Sequence, residues 1–574
     1  MKLALAQINP TVGALRANSS KIAEFAQRAQ QRGAELVIFP EMAVCGYPAR
    51  DLVEKPEFVA ESLAWLRRAS QQVPDITLLC GCATPAAVST GKSVHNTALV
   101  VRAGEVLFQQ SKVLLPTYDV FDESRNFAPA EQQRVWRRPG PGGGQRIAVT
   151  ICEDAWNDKN YWPKREARLL YSRDPVEEQL RGGADFLINI SASPYAVGKI
   201  ALRQEMLGAI AREYRVPVVF VNQVGGNDQL IFDGGSMVLG EDGTLCARAA
   251  FFDEDLLIVD TDVWRGDVRP MPDAGAGAPE NIAAMHQALV LGTRDYVRKC
   301  GLAKVVLGLS GGVDSAVTAA LAVEALGAEN VQALYLPARY SSSASARDAM
   351  QVARNLGIRI ETHAIEPLFE AALAALPGIE RSDLAVQNLQ PRLRALVLMA
   401  RSNQEGSLVL STGNKSELAV GYCTLYGDMA GGLAVIADVL KTQVYALARY
   451  LNRHREIIPE SVLVKAPTAE LKFDQRDEDD LPPYPVLDAI IEQYVERYQS
   501  PLAIAETLGL DAGLVQAMVR RIDQSEFKRQ QAAPGLKVSR KAFGMGRRLP
   551  IAQRYEPVPV APLSEVADPI LETP

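Results

Sequence analysis

Three polar residues in the first half of the chain each follow an apolar run that predicts a strand. Glu41 follows LVIFP, Lys112 follows VLFQQS, and Cys152 follows RIAVTI. A carboxylate, an ammonium group and a thiol form a set that can attack an unactivated amide. A free thiol has a pKa of about 8.5, so a base such as Glu41 must take its proton. Lys112 and the backbone N–H of Glu153 can stabilise the oxyanion that develops.

Each of the three residues also has a structural explanation when it is taken alone. A cysteine is most often a buried core residue, and a single charge after a strand is usually solvated. The catalytic hypothesis therefore depends on the three strand ends converging. A Cys–His protease is a weaker alternative, since none of the four histidines belongs to this set of strand ends.

A glycine-rich turn, GLSGGVDS (308–315), separates an apolar run from a predicted helix in the second half. Backbone N–H groups of such a turn and the positive end of the helix can hold phosphate, and the hydroxyls of Ser310 and Ser315 add donors. A tight turn without function is the alternative. The GKS triplet at 91–93 has Ala86 where a Walker loop needs its first glycine, which argues against GTPase-type chemistry.

The turn resembles the signature of the N-type ATP pyrophosphatases. This resemblance implies cleavage of ATP between the α and β phosphates, with transfer of AMP to an oxygen of the acceptor. An adenylated carboxylate has a good leaving group, which a free carboxylate lacks. The departing pyrophosphate calls for Mg²⁺ and hard oxygen ligands, for which Asp314 and Glu417 are the candidates.

Further blocks resemble the synthetase domain of the NAD synthetase family from about residue 283 to 550. They are LSTGNKSELAVGYCTLYGD, ADVLKTQVYAL, KAPTAEL, DEDDLPPY and SEFKRQQAAPGLKVSRKAFG. The resemblance implies an ATP site formed by Gly308, Leu309, Ser310, Gly311, Gly312, Val313, Asp314, Ser315, Thr412, Lys441 and Thr468. It implies a deamido-NAD⁺ site formed by Asn388, Arg392, Glu417, Tyr422, Cys423, Thr424, Leu425, Asp428 and Lys528. The acidic run 477–480 can be a solvated loop, and the predicted site leaves it out.

The first half resembles the nitrilase (carbon–nitrogen hydrolase) superfamily over about residues 1 to 260. The blocks that carry the resemblance are FPEMAVCGYPARDL, SKVLLPTYDVFDESRNF and ICEDAW, and the pattern is closest to a glutaminase domain of the glutamine-dependent NAD synthetases. The resemblance implies a four-layer αββα fold and glutamine contacts at Tyr118, Ser193 and Lys199. Glu123 matches a second, assisting glutamate.

Around these motifs the pattern predicts two α/β domains. We predict an amidohydrolase domain at 1–262, a linker rich in Gly, Ala and Pro at 263–281, and a synthetase domain at 282–550. Strands and helices alternate after residue 282, which predicts a doubly wound parallel sheet whose ligands lie beyond the carboxyl ends of the strands. The proline-rich residues 551–574 are predicted to be a flexible tail.

Composition limits the possible partners. The chain of 574 residues carries 61 Lys and Arg against 68 Asp and Glu, a net charge of −7, so a broad contact with nucleic acid is not expected. No apolar run is long enough for a membrane span, and the N-terminal apolar run is too short for a signal peptide. Seven scattered cysteines favour the reducing cytoplasm over a disulfide framework or a zinc cluster. We expect a homo-oligomer with small-molecule substrates.

The leading hypothesis is a glutamine-dependent ligase. One half releases ammonia from glutamine, and the other uses ATP and Mg²⁺ to amidate deamido-NAD⁺ through an adenylate. A second hypothesis keeps this fusion but changes the acceptor; Asn388, Arg392, Tyr422 and Lys528 are the residues that discriminate between the two. A third is a nucleotide-binding regulatory module with an inactive hydrolase half, against which Glu41, Lys112 and Cys152 speak.

Overall fold

Two units, each built on β-sheet covered by helices, make up the part of the chain that the computed structural model describes. That part comprises residues 1–86, 91–140, 143–163, 171–261, 264, 279–473 and 475–555. Most of the predicted linker and residues 556–574 of the predicted tail lie outside it, so the domain boundaries stay predictions.

The first unit contains two six-stranded sheets. In spatial order, the first sheet is β14 (Asp255–Asp260), β1 (Lys2–Gln7), β2 (Leu36–Ile38), β3 (Thr77–Pro85), β4 (Val94–Arg102) and β5 (Glu105–Ser111). The second sheet is β13 (Leu245–Arg248), β12 (Met237–Leu239), β9 (Val218–Asn222), β8 (Phe186–Ser191), β7 (Gln145–Ile151) and β6 (Trp136–Arg138). Each sheet has a parallel centre, β1–β2–β3 and β7–β8–β9, flanked by antiparallel strands.

The two sheets pack face to face and each carries helices on its outer face. Alternating residues of β1 and β7, such as Leu5 and Val149, form the apolar layer between the sheets. The helices on the first sheet are α1 (Leu15–Gln31) and α2 (Pro56–Gln72), followed by the short α3 (Glu123–Asn126); those of the second are α4 (Pro175–Arg181) and α5 (Lys199–Tyr214). This arrangement is the four-layer αββα fold that the resemblance implied. A separate hairpin, β10 (Val224–Asn227) with β11 (Leu230–Asp233), extends toward the second unit.

The second unit is a parallel five-stranded sheet with helices on both faces. Its spatial order is β17 (Arg359–Thr362), β16 (Val331–Tyr335), β15 (Val305–Gly308), β18 (Leu408–Ser411) and β19 (Leu433–Ala434). Its first five helices are α6 (Asn281–Lys299), α7 (Val313–Leu326), α8 (Ser343–Leu356), α9 (Glu366–Ala375) and α10 (Asp383–Glu405). The helices that follow are α11 (Lys415–Val420), α12 (Lys441–Leu451), α13 (Glu460–Val464), α14 (Tyr484–Ile491), α15 (Pro501–Leu508), α16 (Ala512–Gln524) and α17 (Glu526–Arg529). The predicted doubly wound parallel sheet is confirmed.

Two local features position the chain around the motifs. The helix after the glycine turn begins at Val313, because Gly312 caps it in an extended conformation and the VDS residues form its first turn. The strands β4 and β5 form a hairpin that is joined through positive φ angles at Ala103 and Gly104.

Two general features of the described residues concern membrane-spanning helices and cysteines. Within them, no helix is both long enough and apolar enough to cross a bilayer. All seven cysteines are free thiols, five of them in the buried interior.

Candidate active sites

The ends of β2, β5, β7 and β8 converge on one buried site in the first unit. Lys112 Nζ donates to Glu41 Oε1 at 2.9 Å, and both side chains are fully buried. The backbone N–H of Ala192, just after β8, donates to Glu41 Oε2 at 2.8 Å. Cys152 is the first residue after β7 and begins a short 3₁₀ helix. The predicted residues Glu41, Lys112 and Cys152 therefore all stand at strand ends around one centre.

Cys152 is held in a buried, electrostatically defined position. Its φ of +45° lies in the left-handed region, a strained conformation for a residue with a side chain, and such strain concentrates at active sites. Burial raises the pKa of the thiol well above its usual value, Glu41 raises it further, and Lys112 lowers it. The sulfur therefore lies in the field of both predicted partners and rests as a thiol, so it requires a base.

Glu123 completes the polar centre. Its Oε1 accepts hydrogen bonds from Lys112 Nζ at 2.8 Å and from the Tyr47 hydroxyl at 2.8 Å. Burial raises its pKa to about 7, against the lowering effect of Lys112. Its other oxygen, Oε2, is buried and accepts no hydrogen bond from the residues described. The Lys112 ammonium group is thus shared between the carboxylates of Glu41 and Glu123.

Two supporting residues were not predicted. Asn96 Nδ2 donates to Glu41 Oε1 at 2.7 Å. Asp154 Oδ1 accepts the backbone N–H groups of Val113 and Leu114 at 3.1 and 2.8 Å, while its Oδ2 accepts that of Ile151 at 3.1 Å. Asp154 thus ties the segment after Lys112 to the residue before Cys152. The ICEDAW block contained Asp154, but no signal in the sequence pointed to its distant backbone partners.

The three predicted glutamine contacts surround this centre. The Tyr118 hydroxyl donates to both carboxylate oxygens of Glu153, at 3.0 and 2.9 Å. Lys199 Nζ donates to the carbonyl of Pro194 at 3.0 Å, and burial lowers its pKa to about 8. Ser193 is buried and directly follows Ala192, whose backbone N–H donates to Glu41. The arrangement offers one carboxylate and one cation beside the thiol.

A cavity of about 810 Å³ lies beyond the carboxyl ends of β15, β16 and β18 in the second unit. It is large enough for nucleotide-sized ligands. All but one of the residues that the resemblance assigned to ATP and deamido-NAD⁺ line it, namely Gly308, Leu309, Ser310, Gly312, Val313, Asp314, Ser315, Asn388, Arg392, Thr412, Glu417, Tyr422, Cys423, Thr424, Leu425, Asp428, Lys441, Thr468 and Lys528.

The exception, Gly311, shapes the turn without lining the cavity. Its φ is +81°, and a Cβ at this position would lie 2.2 Å from the backbone oxygen of Ser345. Only glycine fits there, because both the dihedral angle and the close approach exclude a side chain. The Ser315 hydroxyl donates to the carbonyl of Gly312 at 3.0 Å and accepts the backbone N–H of Ser310 at 3.2 Å, which closes the turn on the start of α7.

The carboxylates of Asp314 and Glu417 meet at one cation. Lys441 Nζ lies 2.5 Å from Asp314 Oδ2 and 3.0 Å from Glu417 Oε1. Burial raises the pKa of Glu417 to about 7, although Lys441 lowers it. Asn414 Nδ2 donates to the other oxygen of Asp314 at 2.9 Å.

These two carboxylates also fit a magnesium ion. Mg²⁺ is commonly held by one or two protein carboxylates, with phosphate oxygens of the substrate and water completing its coordination. The described residues contain no cluster of three or more side chains that could form a metal cage by themselves. Asp314 and Glu417 could supply two oxygen ligands to such an ion.

Two residues of the excluded acidic run, Asp477 and Asp480, line the cavity. Asp477 is buried, lines the cavity and accepts a hydrogen bond from the Tyr484 hydroxyl at 2.8 Å. Reading 477–480 as a solvated loop was wrong for this residue, because the chain turns it inward while Glu478 and Asp479 remain exposed. Lys465 and Glu470 were also missed; both lie in or beside the KAPTAEL block and line the cavity.

Comparison with family models assigns each unit to a class. Residues 2–270 match carbon–nitrogen hydrolases, and residues 285–532 match NAD synthases. One chain thus joins an amide-hydrolysing unit of the nitrilase type to a synthase unit.

Whole-length relatives give the particular family. The chain is 47% identical over 564 residues to the glutamine-dependent NAD(+) synthetase of Synechocystis sp., which covers 97% of this chain and 99% of that protein. It is 40% identical over 597 residues to the enzyme of the same name from Thermotoga maritima, at 97% and 99% coverage. The structure of the Acinetobacter baumannii enzyme in complex with ADP is 39% identical, with a TM-score of 0.74 and coverage of 96% and 98%. The chain belongs to the family of glutamine-dependent NAD(+) synthetases.

Proposed function

We propose that this chain converts deamido-NAD⁺, ATP and glutamine into NAD⁺, AMP, diphosphate and glutamate. The observation that carries the proposal is the presence, in one chain, of a buried Glu–Lys–Cys centre and a separate 810 Å³ cavity around the glycine turn. The names of the relatives support the overall reaction. The ADP-bound neighbour supports ATP as the nucleotide.

In the glutaminase reaction, the Cys152 sulfur attacks the side-chain amide carbon of glutamine while Glu41 accepts the thiol proton. Lys112 and the backbone N–H of Glu153 stabilise the oxyanion. Glu41 returns the proton to the departing nitrogen, and water then hydrolyses the thioester to glutamate. The Glu153 carboxylate and the Lys199 ammonium group match the α-ammonium and α-carboxylate of glutamine in charge.

In the synthetase reaction, the glycine turn and the start of α7 bind phosphate groups of ATP, and a carboxylate oxygen of deamido-NAD⁺ attacks the α phosphate. Lys441 neutralises charge on the departing diphosphate, and Asp314 and Glu417 keep Lys441 in place. Magnesium held by Asp314 and Glu417 would neutralise further charge on the phosphates. Ammonia then displaces AMP from the acyl adenylate.

Ammonia needs a sheltered route, because in neutral water it would become protonated and lose its nucleophilic lone pair. A small cavity shares Glu417 with the large one and shares Leu418, Ala532 and Ala533 with a third cavity of about 550 Å³. The third cavity is bordered by Gln229 of the first unit. We propose that ammonia passes along this series of cavities.

A homo-oligomer is supported by one face of α10. Leu384, Leu396 and Met399 on this helix are 68%, 58% and 42% exposed. Asn388 and Arg392 of the same helix line the substrate cavity. We propose that a second copy of the chain covers this apolar face, and Leu396→Glu should then dissociate the assembly in analytical ultracentrifugation.

The decisive experiment compares nitrogen sources in purified protein. Cys152→Ala should lose glutamine-driven NAD⁺ formation and keep formation driven by ammonium salts. Cys300→Ser, which changes an exposed thiol at the end of α6, is the matched control and should keep both. Loss of both activities in folded Cys152→Ala would contradict the assignment. Failure of deamido-NAD⁺ to react with either nitrogen source would show that the acceptor is a different carboxylate.

A further inference from the structure

The last turn of α6, the first helix of the synthetase unit, reaches into the hydrolase unit. Lys299 Nζ lies within hydrogen-bond distance of four oxygens: Asn9 Oδ1 at 2.7 Å, the carbonyls of Pro10 at 2.9 Å and Gly226 at 2.8 Å, and Asn227 Oδ1 at 2.8 Å. All four acceptors belong to the hydrolase unit. A single ammonium group of the synthetase unit therefore joins the loop after β1 to the end of β10 in the other unit.

Asp295, one turn earlier on α6, contacts two of the same residues. Its Oδ2 accepts Asn9 Nδ2 at 2.7 Å and the backbone N–H of Gly226 at 2.8 Å. A Cβ on Gly226 would lie 3.2 Å from the Asp295 Cβ and 3.2 Å from the Gly292 Cα. The β10–β11 hairpin is thus seated closely on α6, and the position of Asn227 is defined by this helix.

Asn227 extends the contact to the glutaminase centre. Its Nδ2 donates to the Tyr47 carbonyl at 2.9 Å, and the Tyr47 hydroxyl donates to Glu123 Oε1 at 2.8 Å. The same Glu123 oxygen accepts Lys112 Nζ at 2.8 Å. Asn227, Tyr47 and Glu123 are all buried, so little solvent competes with these bonds. Asn227 and Tyr47 are 180 residues apart in the sequence, so the fold and not chain proximity brings them together.

The other side of α6 packs along α7, the helix that begins at the glycine turn. Ala284, Ala288 and Leu291 of α6 share one apolar core with Ala316 and Ala320 of α7. α6 therefore contacts α7, the helix that begins at the glycine turn. Through Lys299 and Asn227, α6 is also connected to the glutaminase centre.

We propose that Lys299 and Asn227 are positioning residues for the glutaminase reaction. They hold Tyr47, which in turn holds Glu123 and, through it, Lys112. Neither residue touches glutamine or the sulfur. The proposal rests on the glutaminase activity proposed above and assigns part of its alignment to a helix of the synthetase unit.

The test compares Lys299→Met and Asn227→Ala with wild type in the full-length protein. The assay measures kcat and KM for glutamine hydrolysis from pH 5 to 9, with ammonia-driven NAD⁺ formation and the melting temperature recorded alongside. Lys21→Met is the matched control: Lys21 Nζ donates to the Asn9 carbonyl at 3.0 Å and to Glu254 at 2.7 Å, and both partners lie within the hydrolase unit.

We expect kcat for glutamine hydrolysis to fall about tenfold in both variants, the equivalent of losing one typical hydrogen bond, with little change in KM. The acid limb of the pH profile should move to higher pH. The Tyr47 hydroxyl stabilises ionised Glu123, so loosening it raises the pKa of Glu123. Tyr47→Phe should reproduce this shift, while Lys21→Met should leave the profile unchanged and ammonia-driven synthesis should stay within twofold in every variant.

Three results would overturn the proposal. In the first, both variants keep the wild-type pH profile and kcat for glutamine hydrolysis and only their melting temperature falls. Lys299 and Asn227 would then stabilise the fold without aligning the glutaminase centre. Another is a parallel loss of ammonia-driven synthesis, which describes general damage. The third is an unshifted profile in Tyr47→Phe, which breaks the path before Glu123. If wild type itself hydrolysed no glutamine, the proposed function would fail together with the inference, and this outcome is distinct from the other three.

Discussion

Gly311→Ala should disable the synthetase reaction and leave the glutaminase reaction intact. Alanine at a φ of +81° costs about 1–2 kcal/mol in backbone strain alone. Its Cβ would also lie 2.2 Å from the Ser345 carbonyl oxygen, whereas ordinary contact begins at 3.4 Å. Since Ser345 is buried in the first turn of α8, the glycine turn must move by about 1 Å, a displacement that costs about 100-fold in rate at a reacting centre.

The assay is ammonia-driven NAD⁺ formation at varied ATP, in parallel with glutamine hydrolysis. We expect kcat/KM for ATP to fall about 100-fold, or about 2.7 kcal/mol of transition-state stabilisation. Gly357→Ala is the matched control at the other end of α8: its φ is +69°, and nothing lies within 4 Å of its Cβ. Gly357→Ala introduces the same backbone strain without a steric clash at the new Cβ, so this variant should be less stable but keep its activity. A Gly311→Ala enzyme within twofold of wild type would refute the reasoning, as would an equal loss in the control.

Three further predictions concern buried charges. Asp154→Asn should lower glutamine hydrolysis about tenfold and spare ammonia-driven synthesis, because one of two backbone-anchoring oxygens is replaced by a donor; steady-state kinetics with both nitrogen sources checks this. Since burial raises the pKa of Glu123 to about 7, glutamine hydrolysis should decline as the pH falls through 7 and this partner of Lys112 is neutralised, which a pH–rate profile measures. Lys415→Met removes the buried ammonium group that pairs with the buried Asp438 and the partly buried Glu496, at a cost of about 3–5 kcal/mol that calorimetry should show as a lower melting temperature.

The sequence predicted the residues at strand ends because their positions follow from chain order. A polar residue directly after an apolar run stands at the end of a strand. Glu41, Lys112 and Cys152 met this condition, and so did the glycine turn after β15. Their convergence on one site did not follow from chain order, because β2 and β5 are not neighbours and β7 lies in the other sheet. The two sheet architectures were predicted on the same basis, with resemblance supplying the face-to-face arrangement of the first unit.

Short edge strands were harder to predict. The strands β6, β10, β11, β13 and β14 have three to six residues each. A run of that length carries too little alternation to distinguish a strand from a loop. β14 forms an edge by pairing antiparallel with β1 from the opposite end of the unit, a partner about 250 residues away that no local pattern indicates.

The supporting polar residues were missed for a related reason. Asn96, Asp154 and Asn227 act through backbone groups or carboxylates that lie 40 to 180 residues away, and in the sequence they look like any polar residue near a turn. Asp477 shows the complementary error, because an acidic run suggests solvent until the fold turns one member inward.

The distribution of these missed residues bears on how the two reactions are joined. A side chain that reacts with substrate must be held in one orientation, and the end of its own strand provides that position. A side chain that positions a catalytic residue depends on hydrogen-bond partners that are distant in the sequence. For Asn227 this partner is Lys299, on α6 of the synthetase unit. Because an isolated hydrolase unit would lack Lys299 and Asp295, Asn227 would keep its bond to Tyr47 but lose the contacts that hold the hairpin against it. Fusion of the two units therefore places part of the glutaminase alignment under the control of the unit that consumes the ammonia.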